Sequence, residues 1–232
     1  MSLLTICTNA LREIGGFEVP ASFFGNGNVT ARQCVNLVLR EGNTLERAHR
    51  WTALVDTYTF ATVSGTGTYD LPSDFRAFAN MSQWDRTNDL QITGPTPPHI
   101  WQFLKSGIAT GATITRWFRV QGTSFAIHPV PTSADTIAYD YYSKNWIVKQ
   151  ADSSNVREFF SDNDTLRLDE DLVTLGLKWR FLQAKGMPFE AEYREYESVL
   201  ESVLADEGGK GRINLGRAPV VTTSIPDQGY GA

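Results

Sequence analysis

Cysteine is scarce in this sequence, which has 2 cysteines among 232 residues. Small secreted domains that depend on disulfides have a far higher cysteine content, so a disulfide-stabilised scaffold is excluded. Cys7 and Cys34 both lie in segments with helical periodicity. We therefore predict two buried free thiols in a protein that is made in a reducing cytoplasm.

Long apolar runs and an excess of positive charge are also missing. No stretch approaches the roughly 20 apolar residues that a membrane-spanning helix needs. Residues 1–16 lack the basic leader and the small-residue cleavage site of a secretory signal. We therefore expect no signal peptide and no contact with a membrane. The formal net charge of −5 argues against a general nucleic-acid-binding protein, which would normally present a basic face.

Sequence motifs of catalysis and metal binding are absent as well. The sequence contains no Gly-x-Ser-x-Gly, Walker or His-Glu-x-x-His motif. None of the three histidines has a second ligand residue at the spacing of a zinc site; they are His49, His99 and His128. We therefore predict no catalytic site, no cofactor and no metal site, and we expect that the protein is not an enzyme.

Acidic residues cluster at positions 162–164 and 169–171, which invites comparison with a calcium-binding loop. The cluster lacks the glycine and the terminal glutamate of an EF-hand loop. Helix capping by Asp169 and a solvated loop at 162–164 explain the pattern better.

Residues 168–196 contain the strongest helical pattern in the chain. Asp169 is a suitable N-cap, and the apolar residues that follow cover so much of the helix circumference that the helix must be enclosed. Gly186 and Pro188 end this helix, and a second one begins near Phe189. The short connection predicts an antiparallel helical hairpin with Trp179 in the interior.

The rest of the chain divides by its hydrophobic period. Residues 2–14 and a segment from Thr30 to about Trp51 are helical, with Gly42 as a weak point. Beyond Trp51 the period falls to two, and residues 68–71 are predicted to form a hairpin with residues 55–60. In a later strand, Ile137, Tyr139 and Tyr141 are predicted to share one face.

These patterns predict an α+β fold with three parts. Residues 1–50 and 165–206 form a helical bundle, and residues 51–164 form an inserted, mainly antiparallel β-rich module. Its strands run from about 56 to 148, and its two ends are expected to lie close together. Residues 207–232 form an extended C-terminal arm.

The arm mixes Gly, Pro and small polar residues with isolated apolar ones, so it cannot bury a face of its own. One interpretation is a disordered terminus. The other is a segment that becomes ordered on a partner. Its predicted binding residues are apolar anchors and two cations, namely Ile213, Leu215, Val221, Ile225, Arg212 and Arg217.

Three sequence segments, in this order along the chain, resemble one known family. They are TYDLPSDFRAFANMSQWDRT at 68–87, FAIHPVPTSADTIAYDYYSKNWIV at 125–148, and FFSDNDTLRLDEDLVTLGLKWRFLQAKGMPFEAEYREYE at 159–197. Together they resemble the head-to-tail adaptor family of tailed bacteriophages, whose members are also called connector proteins or tail accessory factors.

The resemblance implies a structural virion protein at the neck of the particle, made in the host cytoplasm. Such proteins form a ring, usually of twelve copies, beneath the portal protein. The ring extends the channel for double-stranded DNA and offers a platform for other tail or neck proteins, while the C-terminal arm reaches the portal. A net acidic chain suits a DNA channel, because strong attraction to phosphates would hinder sliding.

Two alternatives from other classes remain at this point. One is a tail-associated cell-wall hydrolase; a glycosidase pair could be proposed from any two of the many carboxylates, for example Glu158 and Asp162. The other is a single-strand nucleic-acid binder with aromatic stacking platforms, which would be Trp84, Trp101, Trp117 and Tyr142.

Overall fold

The computed structural model describes residues 1–79, 81–106 and 115–207. The described helices are α1 (Leu3–Ile14), α2 (Val29–Ala48), α3 (Pro98–Lys105), α4 (Glu170–Ala184) and α5 (Glu190–Glu207). The described strands are β1 (Val55–Ala61), β2 (Thr68–Asp70), β3 (Phe75–Phe78), β4 (Trp84–Asp85), β5 (Leu90–Thr93), β6 (Arg116–Gln121), β7 (Ser124–His128), β8 (Thr136–Ser143), β9 (Ile147–Val148), β10 (Asn155–Val156) and β11 (Thr165–Leu166). The predicted α+β class is therefore confirmed.

Helix α4 is the central helix, because α1, α2 and α5 all pack against it. Its buried residues occupy most of its circumference, as the sequence predicted. The predicted N-cap is also confirmed, since Oδ1 of Asp169 accepts a 2.7 Å hydrogen bond from the amide of Leu172. Gly186 follows the helix with φ of 68°, a left-handed conformation that glycine adopts without strain. Trp179 retains only 8% exposure, which confirms its predicted interior position.

Gly42 is a packing position rather than a weak point. Helix α2 runs without interruption through Gly42 and ends at Ala48, before the predicted end near Trp51. The fully buried ring of Trp146 lies directly over Gly42, and a Cβ atom there would be 2.2 Å from Cη2 of Trp146. The absence of a side chain at Gly42 is what lets this indole reach the backbone of α2.

The large sheet has eight strands in the order β1-β8-β4-β5-β6-β7-β2, with β3 also paired to β8. All pairings are antiparallel except that of β5 with β6. Ile137, Tyr139 and Tyr141 of β8 share one buried face, as the sequence predicted. They pack with Phe118 and Phe125 in an aromatic cluster that forms the core of this sheet.

The predicted hairpin between residues 55–60 and 68–71 is wrong. Strand β1 pairs with β8, whereas β2 pairs with β7 at the opposite edge of the sheet. The connection from β1 to β2 therefore joins the two edge strands of the sheet. The sheet is curled so that these edges approach each other, and the ring centres of Phe60 and Tyr69 are 4.8 Å apart. The hydroxyl of Tyr69 donates a 2.6 Å hydrogen bond to the carbonyl of Thr66, and its oxygen lies 3.0 Å from the amide of Val63. These side-chain contacts take the place of the backbone hydrogen bonds that would join the two strands of a β-hairpin.

The two ends of the strand-rich segment are adjacent, since Val55 pairs with Tyr142. A second sheet of three short strands, β10-β9-β11, follows β8. Trp146, Ile147 and Phe159 lie in and around this small sheet, and they belong to the same hydrophobic cluster as α1, α2, α4 and α5. The boundaries proposed at 51–164 remain a prediction, and the arm at 207–232 lies, apart from Glu207, outside the described residues.

Candidate assembly surfaces

The predicted partner-binding residues belong to the C-terminal arm. Arg212, Ile213, Leu215, Arg217, Val221 and Ile225 all lie outside the described residues. The chain is described up to Glu207, whose Oε2 accepts hydrogen bonds of 2.9 Å and 2.8 Å from the amide and hydroxyl groups of Thr52. The C-terminal end of α5 is thereby fixed to the start of the strand-rich segment.

A buried ionic cluster joins α2, α4 and α5. Glu41 of α2 has no solvent exposure. Its carboxylate pairs with the guanidinium group of Arg180 and accepts a 2.6 Å hydrogen bond from the hydroxyl of Tyr196. A Cβ atom at Gly176 would lie 2.5 Å from Cδ of Glu41, so the glycine makes room for the carboxylate. This cluster is a structural group, because all three side chains hold helices to one another.

A second buried glutamate connects α2 to the segments beyond it. Glu46 is 2% exposed, and its Oε1 lies 3.2 Å from Nε of Arg76. Nη2 of Arg157 lies 3.8 Å from Oε2 of the same carboxylate. Arg76 also donates a 2.8 Å hydrogen bond to the carbonyl of His49, just beyond the end of α2. Both acidic residues of α2 are therefore buried and paired with arginines.

The large sheet contains a comparable buried ionic cluster around Arg116. Its Nη1 lies 2.5 Å from Oδ2 of Asp85, and its Nη2 lies 2.7 Å from Oδ2 of Asp135. Asp85 and Asp135 are 0% and 2% exposed. Burial alone would raise the pKa of Asp135, but hydrogen bonds from Arg116 and Ser133 outweigh it and lower the pKa.

The acidic run at 162–164 has structural roles. Asp162 accepts hydrogen bonds of 2.7–3.1 Å from the amides of Phe23 and Phe24. The interpretation of this run as a solvated loop is wrong for Asp164, which is fully buried and accepts hydrogen bonds from the amides of Gln150, Phe160 and Ser161. Two of these donors, Phe160 and Ser161, are only four and three residues away, and Gln150 comes from the segment after β9. A run of acidic residues does not reveal from the sequence that one of its carboxylates folds back onto these amides.

Among the described residues, no group of three or more His, Cys, Asp or Glu side chains could hold a metal ion. In the same residues, no helix has both the length and the hydrophobicity of a bilayer-spanning segment.

His128 packs edge-on against Trp101, and burial together with the nearby Lys105 lowers the pKa of its imidazole.

The proposed stacking aromatics do not form a set of exposed platforms. Trp84 is 42% exposed, but Trp101 is only 2% exposed. Trp117 and Tyr142 are partly buried, and the guanidinium group of Arg50 lies 5.9 Å from the centre of the Tyr142 ring. A strand of bases could therefore stack on Trp84 without finding three further rings presented in the same way.

Exposed charge is segregated between α2 and α5. The exposed face of α2 carries three arginines, at positions 32, 40 and 47, and neither of its two glutamates. The exposed face of α5 carries five acidic residues and Arg194; the acids are Glu190, Glu195, Glu197, Glu201 and Asp206.

Apolar exposure accompanies the basic face. Val29, at the start of α2, is 68% exposed, and Phe24 in the preceding loop is 42% exposed. An open apolar groove lies beside Phe24, lined by Phe23, Phe24, Arg32, Val35 and Asn36 among others. Exposed apolar side chains that are rimmed by polar and charged ones are typical of protein–protein contact surfaces.

The buried ionic clusters described above hold helices and strands to one another. A search of curated proteins gave no match. The model of the family described as "SU10 adaptor protein" matches residues 1–221. The chain belongs to this family of phage adaptor proteins. Membership indicates a structural component of a bacteriophage virion.

Proposed function

We propose that this protein forms a head-to-tail adaptor ring beneath the portal of a tailed bacteriophage. The match to the adaptor family over residues 1–221 carries the proposal, because it covers the helices, the strand-rich segment and most of the arm. Twelve copies would surround the DNA channel at the neck and offer a platform to other tail or neck proteins. The DNA would pass through the ring without sequence-specific binding.

The charge of the chain supports a role around a DNA channel. The formal net charge is −5. A basic channel would bind phosphates through counterion release and slow the movement of DNA, whereas an acidic protein avoids this attraction.

The C-terminal arm is the proposed contact with the portal. Ile213, Leu215, Val221 and Ile225 would act as apolar anchors, while Arg212 and Arg217 would pair with acidic groups of the portal or of a neighbouring subunit. A segment that becomes ordered on binding gains little affinity per unit of area, but a ring of such arms multiplies the contact through avidity.

A truncation tests the proposed portal contact. Cutting the chain after Glu207 preserves the hydrogen bonds between Glu207 and Thr52, so the described fold is expected to keep its melting temperature. Binding to purified portal assemblies should be lost in a co-sedimentation assay. Undiminished binding by the truncated chain would contradict the role of the arm.

Two full-length variants test whether the apolar anchors, rather than the length of the arm, are needed for binding to the portal. Changing the four apolar anchors to serine should abolish co-sedimentation with the portal. Changing Thr222, Thr223 and Ser224 to alanine alters the same arm without touching an anchor, and this control should bind as the wild type does. Equal binding by both variants would show that the anchors are wrongly assigned.

A further inference from the structure

Helix α2 carries a regular basic stripe on its exposed face. Arg32, Arg40 and Arg47 are separated by eight and seven residues, or about 2.2 and 1.9 helical turns, so they lie on one face of the helix within an arc of about 80°. From the helical rise, the stripe is about 22 Å long. Val29 and Asn36 lie on the same face and are also exposed.

The basic stripe is not neutralised within the described chain. Both glutamates of the helix point into the core, where Glu41 pairs with Arg180 and Glu46 with Arg76. The salt bridges found among the described residues include none from Arg32, Arg40 or Arg47. Three adjacent cations on an acidic protein therefore face outward.

Helix α5 presents the opposite charge in a row of similar length. Glu190, Glu197 and Glu201 are exposed and separated by seven and four residues, so they too lie along one face. This acidic stripe is about 16 Å long. Its charge is only partly offset by Arg194, which is exposed beside it.

The two stripes lie on different helices that both pack on α4, each on the face turned away from the core. One surface of a copy is thus complementary to a different surface of the next copy. Such a heterologous contact produces a ring when the rotation closes and a filament when it does not.

We propose that the basic stripe of α2 (Arg32, Arg40 and Arg47) binds the acidic stripe of α5 (Glu190, Glu197 and Glu201) of a neighbouring copy. Phe24 and Val29 supply apolar contact at the end of the basic stripe. This inference rests on the proposed ring and specifies which faces of its subunits meet. The charges select the partner and the register, and the apolar groups contribute the buried area.

A second copy fits the basic stripe better than DNA does. The stripe is isolated on a chain of net charge −5, whereas a nucleic-acid-binding face normally belongs to a basic domain. The acidic stripe would repel phosphates but attracts the arginines. DNA binding by α2 is therefore the competing outcome of the experiment.

Charge reversal on the full-length chain tests the contact. Two variants are made: R32E/R40E reverses the α2 stripe, and E197K/E201K reverses the α5 stripe. Oligomers are measured by sedimentation velocity and native mass spectrometry over a range of protein concentrations at low ionic strength. We expect the wild type to form oligomers that weaken as salt is added, and each variant alone to remain monomeric, because its two faces then carry like charge.

Mixing the two variants is the decisive experiment. The acidic α5 of R32E/R40E can bind the basic α2 of E197K/E201K, and the two reversed faces are also complementary. The mixture should therefore regain oligomers with alternating subunits. A chain with all four changes should assemble alone. The control variant R12E/R86E changes exposed cations elsewhere by the same total charge and should assemble as the wild type does.

Several results would overturn the inference. They are a wild type that stays monomeric at every concentration, reversal variants that assemble unchanged, and a mixture that fails to recover oligomers. A gel shift of double-stranded DNA that disappears in R32E/R40E, with oligomers unaffected, would assign the stripe to DNA instead. Circular dichroism checks folding, and if a reversal unfolds the chain, the neutral variants R32Q/R40Q and E197Q/E201Q take its place and should weaken the oligomers.

Different results would reject the proposed function and this inference. Absence of the protein from the neck of purified particles would reject the adaptor ring. A ring at the neck that contains R32E/R40E subunits as readily as wild-type subunits would reject only the stripe-to-stripe contact.

Discussion

The hydroxyl of Tyr196 donates a 2.6 Å hydrogen bond to Oε1 of Glu41, across 155 positions of sequence. Glu41 is fully buried, and Tyr196 is the one residue of α5 that is buried in the described structure. Burial and the neighbouring carboxylate raise the pKa of Tyr196, so the phenol remains a donor at all physiological pH values. This bond fixes α5, and therefore the start of the C-terminal arm, to α2.

Replacing Tyr196 with phenylalanine should destabilise the protein by about 1–3 kcal/mol, because it leaves a buried carboxylate without one of its donors. Urea unfolding followed by circular dichroism measures the change. Y193F is the control, since Tyr193 is only partly buried and its partner Glu197 is exposed. An equal loss of stability in Y196F and Y193F would mean that the hydrogen bond to Glu41 adds no measurable stability.

Alanine at Gly42 should destabilise the protein even though alanine is the better helix former by about 1 kcal/mol. A Cβ atom would overlap the buried ring of Trp146 at 2.2 Å, and overpacking of this kind typically costs about 1–3 kcal/mol. Thermal unfolding measures the effect. The control N36A lies on the exposed face of the same helix and should change stability by less than about 0.5 kcal/mol. A more stable G42A protein would contradict the described packing.

Replacing Arg116 with methionine should cost about 3–5 kcal/mol near pH 7, because two buried carboxylates then lose their common cation. In the wild type the pKa of Asp135 is lowered, so its contribution to stability is present above the unfolded pKa and is lost as pH falls through the lowered value.

The deficit of R116M should therefore shrink as pH falls, because protonation removes the unpaired charges from the variant. Urea midpoints measured between pH 7 and pH 4 follow this change. R119M, on the same strand β6 but outside the ionic cluster, is the matched control. A deficit that stays constant over this pH range would indicate lost packing rather than lost charge pairing.

Cys7 and Cys34 should react very slowly with thiol reagents in the native protein. Burial raises the pKa of Cys34 to about 11, and burial together with the neighbouring Cys34 raises the pKa of Cys7. At pH 8 the thiolate, which is the reactive form, is scarce in both. Labelling should be at least about 100-fold slower than that of an S198C variant, whose added thiol lies on an exposed position of α5. Comparable rates without unfolding would contradict this burial.

Local signals explain which elements the sequence predicted well. Asp169, Gly186 and Pro188 mark the ends of α4 and its turn within a few residues, and capping chemistry acts over that short range. The burial of Trp179 followed from the apolar coverage of the helix. In the same way, alternation along β8 placed Tyr139 and Tyr141 on one face.

Long-range partners explain what the sequence could not predict. Strand β2 looks like a hairpin partner of β1, and only the curl of the whole sheet directs it to β7. Glu41 looks like a surface residue until Arg180, 139 positions away, is packed against it. The basic stripe on α2 likewise becomes visible only once both glutamates of the helix are known to be buried.

The most direct measurement of the central proposal is a cryo-electron microscopy reconstruction of the neck of the virion that contains this protein. We expect a closed ring of copies of this chain directly beneath the portal, with a central channel and with residues 208–232 in contact with the portal. Particles whose neck lacks the chain, or whose copies lie at a different part of the tail, would contradict it.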